Sequence, residues 1–391
     1  METEQQKRLR AARRIVIKLG TGIVTGSDGQ FDTERLGAVA RTIAELKKEG
    51  RQVVLVSSGA VGLGRGRLGI HRDRLHDLVM SQACAAVGQS LLMHEYEKLF
   101  QAHEIQLAQV LLTEGDFVDR TRYSNLRQTM EALLKLGVLP IINENDTIST
   151  AELDYLNIRA GERIFSDNDR LGALVMSHVE ADVLVILTDV DGLMEFGPSG
   201  AKDGTGKMIP LVEEISPELR ALALGPSAGG RGGMQTKLDA AEIAMQAGGI
   251  AVIANGKKTD TLSRIFSGEP TGTVFWSKTR TSGKRRWLAH AAGVRGRVVV
   301  NTGARDALTD GKASLLASGV VSVEGEFDAA EVVSIVDAEG QEFARGISDF
   351  SCGDAQGLIG NGSSVAAGGG RANGRATVLV KRDNIVLMDR K

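Results

Sequence analysis

Short apolar runs alternate with longer amphipathic segments from residue 13 to about residue 275. The runs are nearly continuous in Val, Ile and Leu, which is typical of strands buried on both faces of a parallel sheet. They cover residues 15–20, 53–59, 106–113, 138–142, 183–187 and 249–256. Between the first two runs, apolar residues at helical spacing over 32–50 predict a helix, with Asp32 or Thr33 as its cap. This order of elements predicts an α/β fold, a three-layer αβα sandwich around a mostly parallel central sheet.

The pattern changes near residue 276, where short alternating strands replace the repeat of strand and helix. Segments such as 296–303, 319–327 and 331–337 have the period of two that half-buried strands show. A Gly/Ser/Ala-rich segment over 360–374 has no apolar period and predicts a surface loop. We therefore predict a large α/β domain over residues 1–276, a linker over 277–285 and a small β-rich domain over 286–391.

The composition is that of an ordinary globular protein, with 42% hydrophobic and 25% charged residues and a net charge of −2. This balance predicts neither a nucleic-acid nor a membrane partner. No run approaches the ~18 apolar residues of a membrane helix, and no signal-peptide core is present, so we expect a soluble, cytoplasmic protein. Two cysteines far apart, Cys84 and Cys352, predict buried thiols in a reducing compartment. The six histidines show no metal-ligand spacing, and we interpret His71 and His76 as surface residues.

A glycine-rich segment that ends in a lysine precedes the helical pattern of residues 238–248. This segment, Gly230 to Lys237, contains three glycines, whose backbone N–H groups can turn towards a ligand. A helix N-terminus behind such a loop favours an anion, and the lysine supplies a full positive charge. No Walker A loop occurs in the 391 residues. The segment therefore predicts a phosphate contact of another kind, against the alternative of a glycine-rich surface loop.

Polar and charged residues also follow nearly every predicted strand of the α/β domain. They are Lys18 to Thr21, Ser57 to Ala60, Asn143 to Asp146, and Thr188 with Asp189, while Ser166 to Asp169 opens a helix. In open parallel sheets, ligands bind outside the carboxyl ends of the strands. Each feature alone can be explained as a solvated lysine, a turn or a helix cap. Together, two lysines, glycines and several carboxylates at one edge predict phosphoryl transfer, in which catalysis is mostly positioning and charge neutralisation.

A second glycine pattern, Gly64 to Gly69, satisfies the dinucleotide-binding motif G-x-G-x-x-G. It begins about eight residues after the predicted strand and not in the tight turn that the motif requires. The next acidic residue after Asp77 is Glu95, which is too late for the expected ribose contact. We therefore do not expect a dehydrogenase.

Six segments carry a family resemblance: IVIKLGT, VVLVSSGAVGLG, PIINENDT, SDNDRLGAL, LTDVDGL and GGRGGMQTKLDAA. In content and order they resemble the amino-acid kinase family and, within it, the glutamate 5-kinases. The segment from Arg285 onwards is similar to the PUA domain that many of these kinases carry. The resemblance covers essentially the whole chain. It implies ATP-dependent phosphorylation of the γ-carboxylate of L-glutamate to L-glutamyl 5-phosphate, the first step of proline biosynthesis.

The resemblance also implies roles for individual residues. Lys18 and Lys237 would hold the transferred phosphoryl group from two sides, with Asp169 accepting hydrogen bonds from both. The residues implied for glutamate binding are Ser58, Asn143, Asp146 and Asn168, with Asp146 as the partner of the α-ammonium group. Gly20 and Gly59 would offer backbone N–H groups to the phosphates of ATP. The other residues implied for ATP binding are Lys18, Thr188, Asp189, Arg231, Gly232, Gly233, Met234, Gln235, Thr236 and Lys237.

The same resemblance implies the ligands and partners. Mg²⁺ is expected to accompany ATP and to be held mainly by the nucleotide phosphates, with no metal-ligating protein residues. The nucleophile is the substrate's own ionised carboxylate, so no general base is required. Implied partners are L-glutamate, ATP, proline as a feedback inhibitor, a second copy in a homo-oligomer and the downstream glutamyl phosphate reductase. We expect both lysines at a solvent-facing edge, so that their replacement changes thermal unfolding little.

Three features depart from the family pattern: Arg231 replaces a frequent threonine, Ser166 replaces a usual glycine, and the stretch 154–165 is longer than in many relatives. Two alternatives stay open. One is another carboxylate kinase of the same family. The other is a PUA-type RNA-binding protein, because residues 270–305 contain eight Lys/Arg and no acid. Basic and acidic residues nearly balance over 283–391, which argues against RNA binding as the main function.

Overall fold

The computed structural model describes residues 3–26, 29–71, 78–113, 115–118, 120–148, 168–195, 206–222, 233–276, 294–310, 313–329, 331–362 and 377–388. The chain divides into two compact units, Met1–Asp116 with Ser124–Thr281 and Phe117–Tyr123 with Ser282–Lys391. The predicted linker lies outside the described residues, as does most of the predicted loop over 360–374. The predicted domain boundaries stay a prediction. No helix within the described ranges is long and apolar enough to cross a membrane.

The larger unit is built on an eight-stranded sheet, and each apolar run of the sequence forms one of its strands. The strands up to residue 276 are β1 Arg14–Leu19, β2 Gln52–Ser57, β3 Leu107–Leu112, β4 Leu139–Glu144, β5 Val183–Thr188, β6 Met194–Glu195, β7 Lys207–Met208, β8 Leu211–Val212, β9 Ile250–Asn255 and β10 Thr273–Trp276. The order in the sheet is β3-β4-β2-β1-β5-β9-β10-β8. All neighbours are parallel except β9 and β10. The predicted mostly parallel sheet is confirmed.

Helices connect these strands and cover both faces of the sheet. They are α1 Glu4–Ala11, α2 Thr21–Val24, α3 Thr33–Lys48, α4 Ala60–Leu68, α5 Leu78–Gln101, α6 Gly115–Val118, α7 Arg120–Lys135, α8 Asn168–His178, α9 Pro217–Leu222, α10 Met234–Gln246 and α11 Thr261–Ser267. Of the two predicted caps of α3, Asp32 is the one used, because its side chain accepts a hydrogen bond from the Arg35 N–H.

The two faces of the sheet bury alternate residues of each strand. In β1, Ile15, Ile17 and Leu19 belong to one apolar core together with Leu36 of α3 and Phe100 of α5. Lys18 lies on the opposite face, beside α8. Because helices pack on both faces, the strands are apolar almost throughout, and the predicted three-layer αβα sandwich is confirmed.

The glycine pattern that imitates a dinucleotide motif lies inside a helix–helix contact. Helices α4 and α5 pack so closely that a β-carbon on Gly64 would overlap the carbonyl oxygen of Cys84. A β-carbon on Gly88 would overlap the carbonyl oxygen of Ala60 in the same way. These glycines therefore allow two backbones to touch, and the interpretation of the pattern as something other than a dehydrogenase motif fits this packing.

The second unit is small and β-rich, as predicted. Its elements are β11 Gly296–Val300, α12 Thr302–Thr309, β12 Leu315–Leu316, β13 Val320–Gly325, β14 Val332–Val336, β15 Glu342–Ile347, α13 Cys352–Gly362, β16 Val378–Val380 and β17 Ile385–Leu387. Five of the strands form a sheet in the order β13-β11-β14-β15-β17, in which β11 and β14 alone are parallel. Strands β12 and β16 pair separately. Its core includes Val298, Ile335 and Leu379.

The cysteine expectation is half correct. Both thiols are free, and Cys84 is fully buried at the contact between α4 and α5. Cys352 is only half-buried, and its thiol donates to the carbonyl oxygen of Gly325. The expectation of a second buried thiol is therefore wrong, because Cys352 stands at the first position of α13, where the helix end leaves part of its side chain exposed.

The glycine contact between α4 and α5 gives a direct test of the packing. The Gly64→Ala substitution places a methyl group against backbone atoms, which no rotamer change can relieve, so we expect a loss of about 3 kcal/mol in the free energy of unfolding. Gly62 lies in the same helix, and a β-carbon there meets nothing within 4 Å. Gly62→Ala should therefore leave stability unchanged or raise it by about 0.5–1 kcal/mol. Urea unfolding of both variants measures the difference, and equal stability of the two would contradict the close helix contact.

Candidate active site

The predicted site residues gather at the carboxyl ends of the central strands. Strands β4, β2, β1, β5 and β9 are neighbours and parallel, so their carboxyl ends lie along one edge of the sheet. Helices α8 and α10 begin at the same edge and pack against each other. Lys18 comes from β1, Asp169 from the first turn of α8, and Lys237 from the first turn of α10. Three distant parts of the sequence therefore meet at one place.

One carboxylate bridges the two lysines. The Lys18 Nζ lies 2.5 Å from the Asp169 Oδ1, and the Lys237 Nζ donates to the Asp169 Oδ2 at 3.0 Å. The bridge is buried, with exposed fractions of 3% for Lys18, 0% for Asp169 and 6% for Lys237. Two positive charges and one negative charge in a water-poor position leave the bridge with net positive charge. Such a group can attract an anion strongly, because the local dielectric constant is low.

The electrostatics of the bridge keep Asp169 ionised. Burial by itself raises the pKa of Asp169, but the charges and hydrogen bonds of Lys18 and Lys237 outweigh burial and lower the pKa to about 2. At neutral pH the carboxylate is therefore fully charged and can hold both ammonium groups.

The burial of the lysines corrects the expectation of a solvent-facing edge. Lys18 points from β1 towards α8, where Gly172 has no side chain and a β-carbon would lie 3.4 Å from the Lys18 Cβ. The aliphatic stem of Lys18 is thus packed between a strand and a helix. The placement of both lysines at a solvent-facing edge is therefore wrong. Replacing either one breaks a buried ion pair, so we now expect thermal unfolding to change.

The glycine-rich segment is described only from Gly233 onwards. Arg231 and Gly232, both predicted to bind ATP, lie outside the described residues, as do Ser166 and the stretch 154–165. Gly233 is the extended residue that precedes α10, and Met234, Gln235 and Thr236 form its first turn. The Thr236 hydroxyl donates to the Gly233 carbonyl oxygen at 2.9 Å and lies 3.3 Å from the Asp169 Oδ2. The start of α10 is therefore tied to the bridge.

The two predicted phosphate-binding glycines differ in what their backbones do. The Gly20 N–H donates to the Leu187 carbonyl oxygen at 3.1 Å, so this amide is already used between β1 and β5. The expectation that it binds phosphate is therefore at odds with the structure. A β-carbon on Gly20 would lie 3.9 Å from the Lys18 Nζ, so this glycine is a close neighbour of the lysine. Gly59 precedes α4 with φ +105°, a conformation that favours glycine, and its N–H stays a predicted phosphate donor.

Three predicted glutamate-binding residues are connected by hydrogen bonds. The Asn168 Nδ2 donates to the Ser58 Oγ at 2.7 Å and to the Asn143 Oδ1 at 2.9 Å, and it lies 3.1 Å from the Ser57 carbonyl oxygen. Asn143 is buried at 2% exposure. Since Asn168 precedes Asp169 in the chain, this amide cluster adjoins the lysine bridge.

Asp146 lies in the turn after β4, where it lines a cavity of roughly 600 Å³. The wall of the cavity includes Gln89 and His94 of α5 and Glu144 at the end of β4. The described part of its lining contains several carboxylates and no lysine or arginine, which favours a cationic group inside it.

The remaining predicted ATP contacts stand at the end of β5. Thr188 is buried, and its hydroxyl donates to the Asp189 Oδ1 at 3.3 Å. Asp189 is exposed. On the neighbouring strand, Asn255 pairs in register with Thr188, and its side chain donates to Asp191. These residues form a polar rim that the sequence analysis only partly anticipated.

Sequence reasoning missed two contributors to the site. Gln89 accepts a hydrogen bond from the Asn143 Nδ2 at 3.0 Å, and Gly172 lies against the aliphatic stem of Lys18. Gln89 stands in the long helical pattern between two apolar stretches, and no local motif marks it. A polar residue on a largely apolar helix was the available signal, and it is a weak one.

Comparisons with known proteins identify the family of the chain. Residues 13–254 match the amino acid kinase family, and residues 296–367 match the PUA domain. The chain is 45% identical to a glutamate 5-kinase from Moorella thermoacetica over 89% of each chain. It is 41% identical to a glutamate 5-kinase from Citrifermentans bemidjiense, over 97% of this chain and 99% of that protein. Among solved structures, it is similar to a UMP kinase from Bacillus anthracis, with a TM-score of 0.46 and 16% identity over 68% of this chain and 96% of that one.

The family of the chain follows from these matches, because the amino acid kinase match covers more than half of the chain and the two relatives align over nearly all of it. The resemblance that the sequence motifs indicated is confirmed. The chain belongs to the amino acid kinase family and, within it, to the group that includes these glutamate 5-kinases.

Proposed function

We propose that this protein transfers the γ-phosphoryl group of ATP to the γ-carboxylate of L-glutamate and forms L-glutamyl 5-phosphate. The observation that carries the proposal is the buried bridge of Lys18, Asp169 and Lys237 at the carboxyl edge of the sheet. The names of the relatives support the choice of glutamate as acceptor. The relatives align over both units, which favours a kinase over an RNA-binding protein as the main function.

In this proposal the two lysines neutralise the charge of the phosphoryl group while it is transferred. An ammonium group carries three N–H donors, and its contact with Asp169 does not use all of them. Each lysine can therefore hold Asp169 and contact phosphate oxygens at the same time. Asp169 is a positioning residue, because it orients both lysines and stays ionised. The acceptor carboxylate has an ordinary pKa of about 4.3 and is ionised at neutral pH, so the reaction needs no general base.

The acceptor would lie between the bridge and the cavity beside Asp146. Ser58, Asn168 and Asn143 form the polar wall next to the bridge. Asp146 is the proposed partner of the α-ammonium group, because a carboxylate in this acidic cavity favours a cation. The γ-carboxylate would then point towards Lys18 and Lys237. This placement uses the cavity for recognition and the bridge for chemistry.

The nucleotide would bind on the opposite side of the bridge. Its proposed contacts are Gly59, Thr188, Asp189 and the segment from Arg231 to Lys237. Within the described residues, no group of three or more His, Cys, Asp or Glu side chains could hold a metal ion, and Asp169 is already used by two lysines. We therefore propose that Mg²⁺ is held mainly by the nucleotide phosphates, where it adds to the neutralisation of their charge.

The product would be an acyl phosphate, which is reactive and has to be consumed soon after release. The proposal therefore includes the first step of proline biosynthesis, with glutamyl phosphate reductase as the downstream partner. Feedback inhibition by proline and a homo-oligomeric assembly belong to the same proposal.

A test of acceptor choice follows from the α-ammonium contact. ADP release should be measured with ATP and, in turn, L-glutamate, N-acetylglutamate, aspartate and UMP. We expect turnover with glutamate and at least about 10²-fold less with N-acetylglutamate, because acetylation removes the positive charge that Asp146 is proposed to bind. Comparable turnover of these two acceptors would refute the role of Asp146. Turnover with UMP alone would refute the proposed reaction.

The pKa of Asp169 predicts how stability depends on pH. The folded pKa of about 2 lies below the ordinary value of 3.8, so this group stabilises the fold above about pH 4, and the contribution is lost as the pH falls through about 2. As the pH falls from about 4 to about 2, the free energy of unfolding of the wild type should decrease by on the order of 2 kcal/mol more than that of Asp169→Asn, whose side chain cannot ionise. Urea unfolding at several pH values measures this difference. Asp260→Asn, which changes an exposed carboxyl group outside the bridge, is the control variant. The same loss in Asp169→Asn as in the wild type would contradict the bridge.

A further inference from the structure

Four side chains form a hydrogen-bonded line from the lysine bridge to the wall of the cavity. Asn168, beside Asp169, donates to the Asn143 Oδ1 at 2.9 Å. The Asn143 Nδ2 then donates to the Gln89 Oε1 at 3.0 Å. Ser58 accepts from the other end of the line at 2.7 Å. Gln89 lines the cavity and Asn143 does not, so Gln89 is where this line reaches the space proposed for the acceptor.

The direction of every amide in the line is determined by backbone groups. A backbone carbonyl can only accept, and the Ser57 carbonyl oxygen lies 3.1 Å from the Asn168 Nδ2. A backbone N–H can only donate, and the Glu144 N–H lies 2.9 Å from the Asn143 Oδ1. Asn143 must therefore present its Nδ2 to Gln89. Gln89 in turn must present its Oε1 to Asn143.

The orientation of Gln89 has a chemical consequence for the cavity. Because its Oε1 is used by Asn143, the other end of its planar amide, the Nε2, is the end left to face a ligand. Within the described part of the chain, the bond to Asn143 is the one hydrogen bond of the Gln89 side chain. Gln89 is half-buried, so its Nε2 can reach a molecule in the cavity. The residue thus offers N–H donors in a wall that also contains Glu144 and Asp146.

A glutamate acceptor needs such a donor. Its γ-carboxylate is directed to the lysines and its α-ammonium to Asp146, but its α-carboxylate has no partner among the residues assigned so far. Among the described residues that line the cavity there is no arginine or lysine. We propose that the Gln89 Nε2 donates to the α-carboxylate of the acceptor and that Asn143 holds the Gln89 amide in the orientation this requires. The inference rests on the proposed function and adds a specificity-determining residue to it.

The test compares two acceptors that differ only at the α-carboxylate. L-Glutamate carries a carboxylate there, and L-isoglutamine, its α-amide, carries a neutral carboxamide with its own N–H donors. Gln89→Glu keeps an oxygen that accepts from Asn143 but replaces the N–H donor with a carboxylate. We expect kcat/KM for glutamate to fall about 10²-fold through the lost charge-assisted hydrogen bond and the new repulsion. For isoglutamine the fall should be no more than about threefold, because its carboxamide can donate to the new carboxylate. KM for ATP should stay unchanged.

Two further variants keep the test decisive. Gln89→Met removes the donor without adding charge, and we expect about a tenfold fall in kcat/KM for glutamate with a smaller fall for isoglutamine. Gln89→Met replaces Gln89→Glu in the test if the Gln89→Glu protein does not fold. Gln101→Glu makes the same change at an exposed position of the same helix and should leave both acceptors unaffected.

The outcomes separate this assignment from the function on which it rests. One outcome is that the wild type turns over glutamate while the Gln89 variants lower kcat/KM for both acceptors by the same factor. This result would overturn the contact to the α-carboxylate and leave the proposed kinase activity intact. A wild type without glutamate-dependent ADP release would overturn the proposed function itself. A fall in kcat/KM that is larger for glutamate than for isoglutamine in the Gln89 variants supports the assignment.

Discussion

The ionised carboxylate of Asp169, held between two buried lysines, is the interaction on which the rest of the site depends. Taking three charges out of water is costly, and only close contact among them offsets that cost. Lys18, Asp169 and Lys237 come from β1, α8 and α10, so the bridge exists only when the sheet and both helices have assembled. Apolar residues of similar size would often pack there with equal or greater stability. The bridge is therefore better explained by the charge it presents to a ligand than by the stability of the fold.

The surroundings of the bridge are organised to keep its geometry. Gly172 lies against the stem of Lys18, and Thr236 connects the first turn of α10 to Asp169. On the other side, Asn168 connects the bridge to a line of amides that ends at the cavity. One end of the site thus carries net positive charge and the other carries carboxylates. A substrate with a carboxylate at one end and an ammonium group at the other matches this distribution.

Much of the larger unit could be predicted from the sequence, because strands buried on both faces leave continuous apolar runs and cannot be mistaken for alternating ones. The short strands β6, β7, β8 and β10 were not predicted, because a strand of two to four residues is too short to show a hydrophobic period. The gathering of Lys18 and Asn143 at one edge followed from the rule for parallel sheets. Their individual roles came from the family resemblance and not from spacing.

Other features depend on tertiary contacts that no local pattern encodes. The burial of Lys18 and Lys237 results from helix packing over the strand end, and the sequence analysis placed them in solvent. The contact of Gly64 with α5 and the bond between Gln89 and Asn143 join residues that are far apart in the chain. The use of the Gly20 N–H by Leu187 is likewise a property of the assembled sheet. In each case the residue type was visible in the sequence, but its partner was not.

The central claim is that the bridge stabilises charge on the transferred phosphoryl group, and the kcat of Lys237→Met tests it most directly. Methionine keeps much of the aliphatic bulk and removes the charge, while Asp169 keeps Lys18 as a partner. At saturating ATP and glutamate, we expect kcat to fall by about 10²-fold or more, with the loss in kcat larger than any change in KM. Lys98→Met, which removes an exposed lysine from α5, should keep the wild-type kcat. A folded Lys237→Met protein with a kcat near that of the wild type would contradict the account.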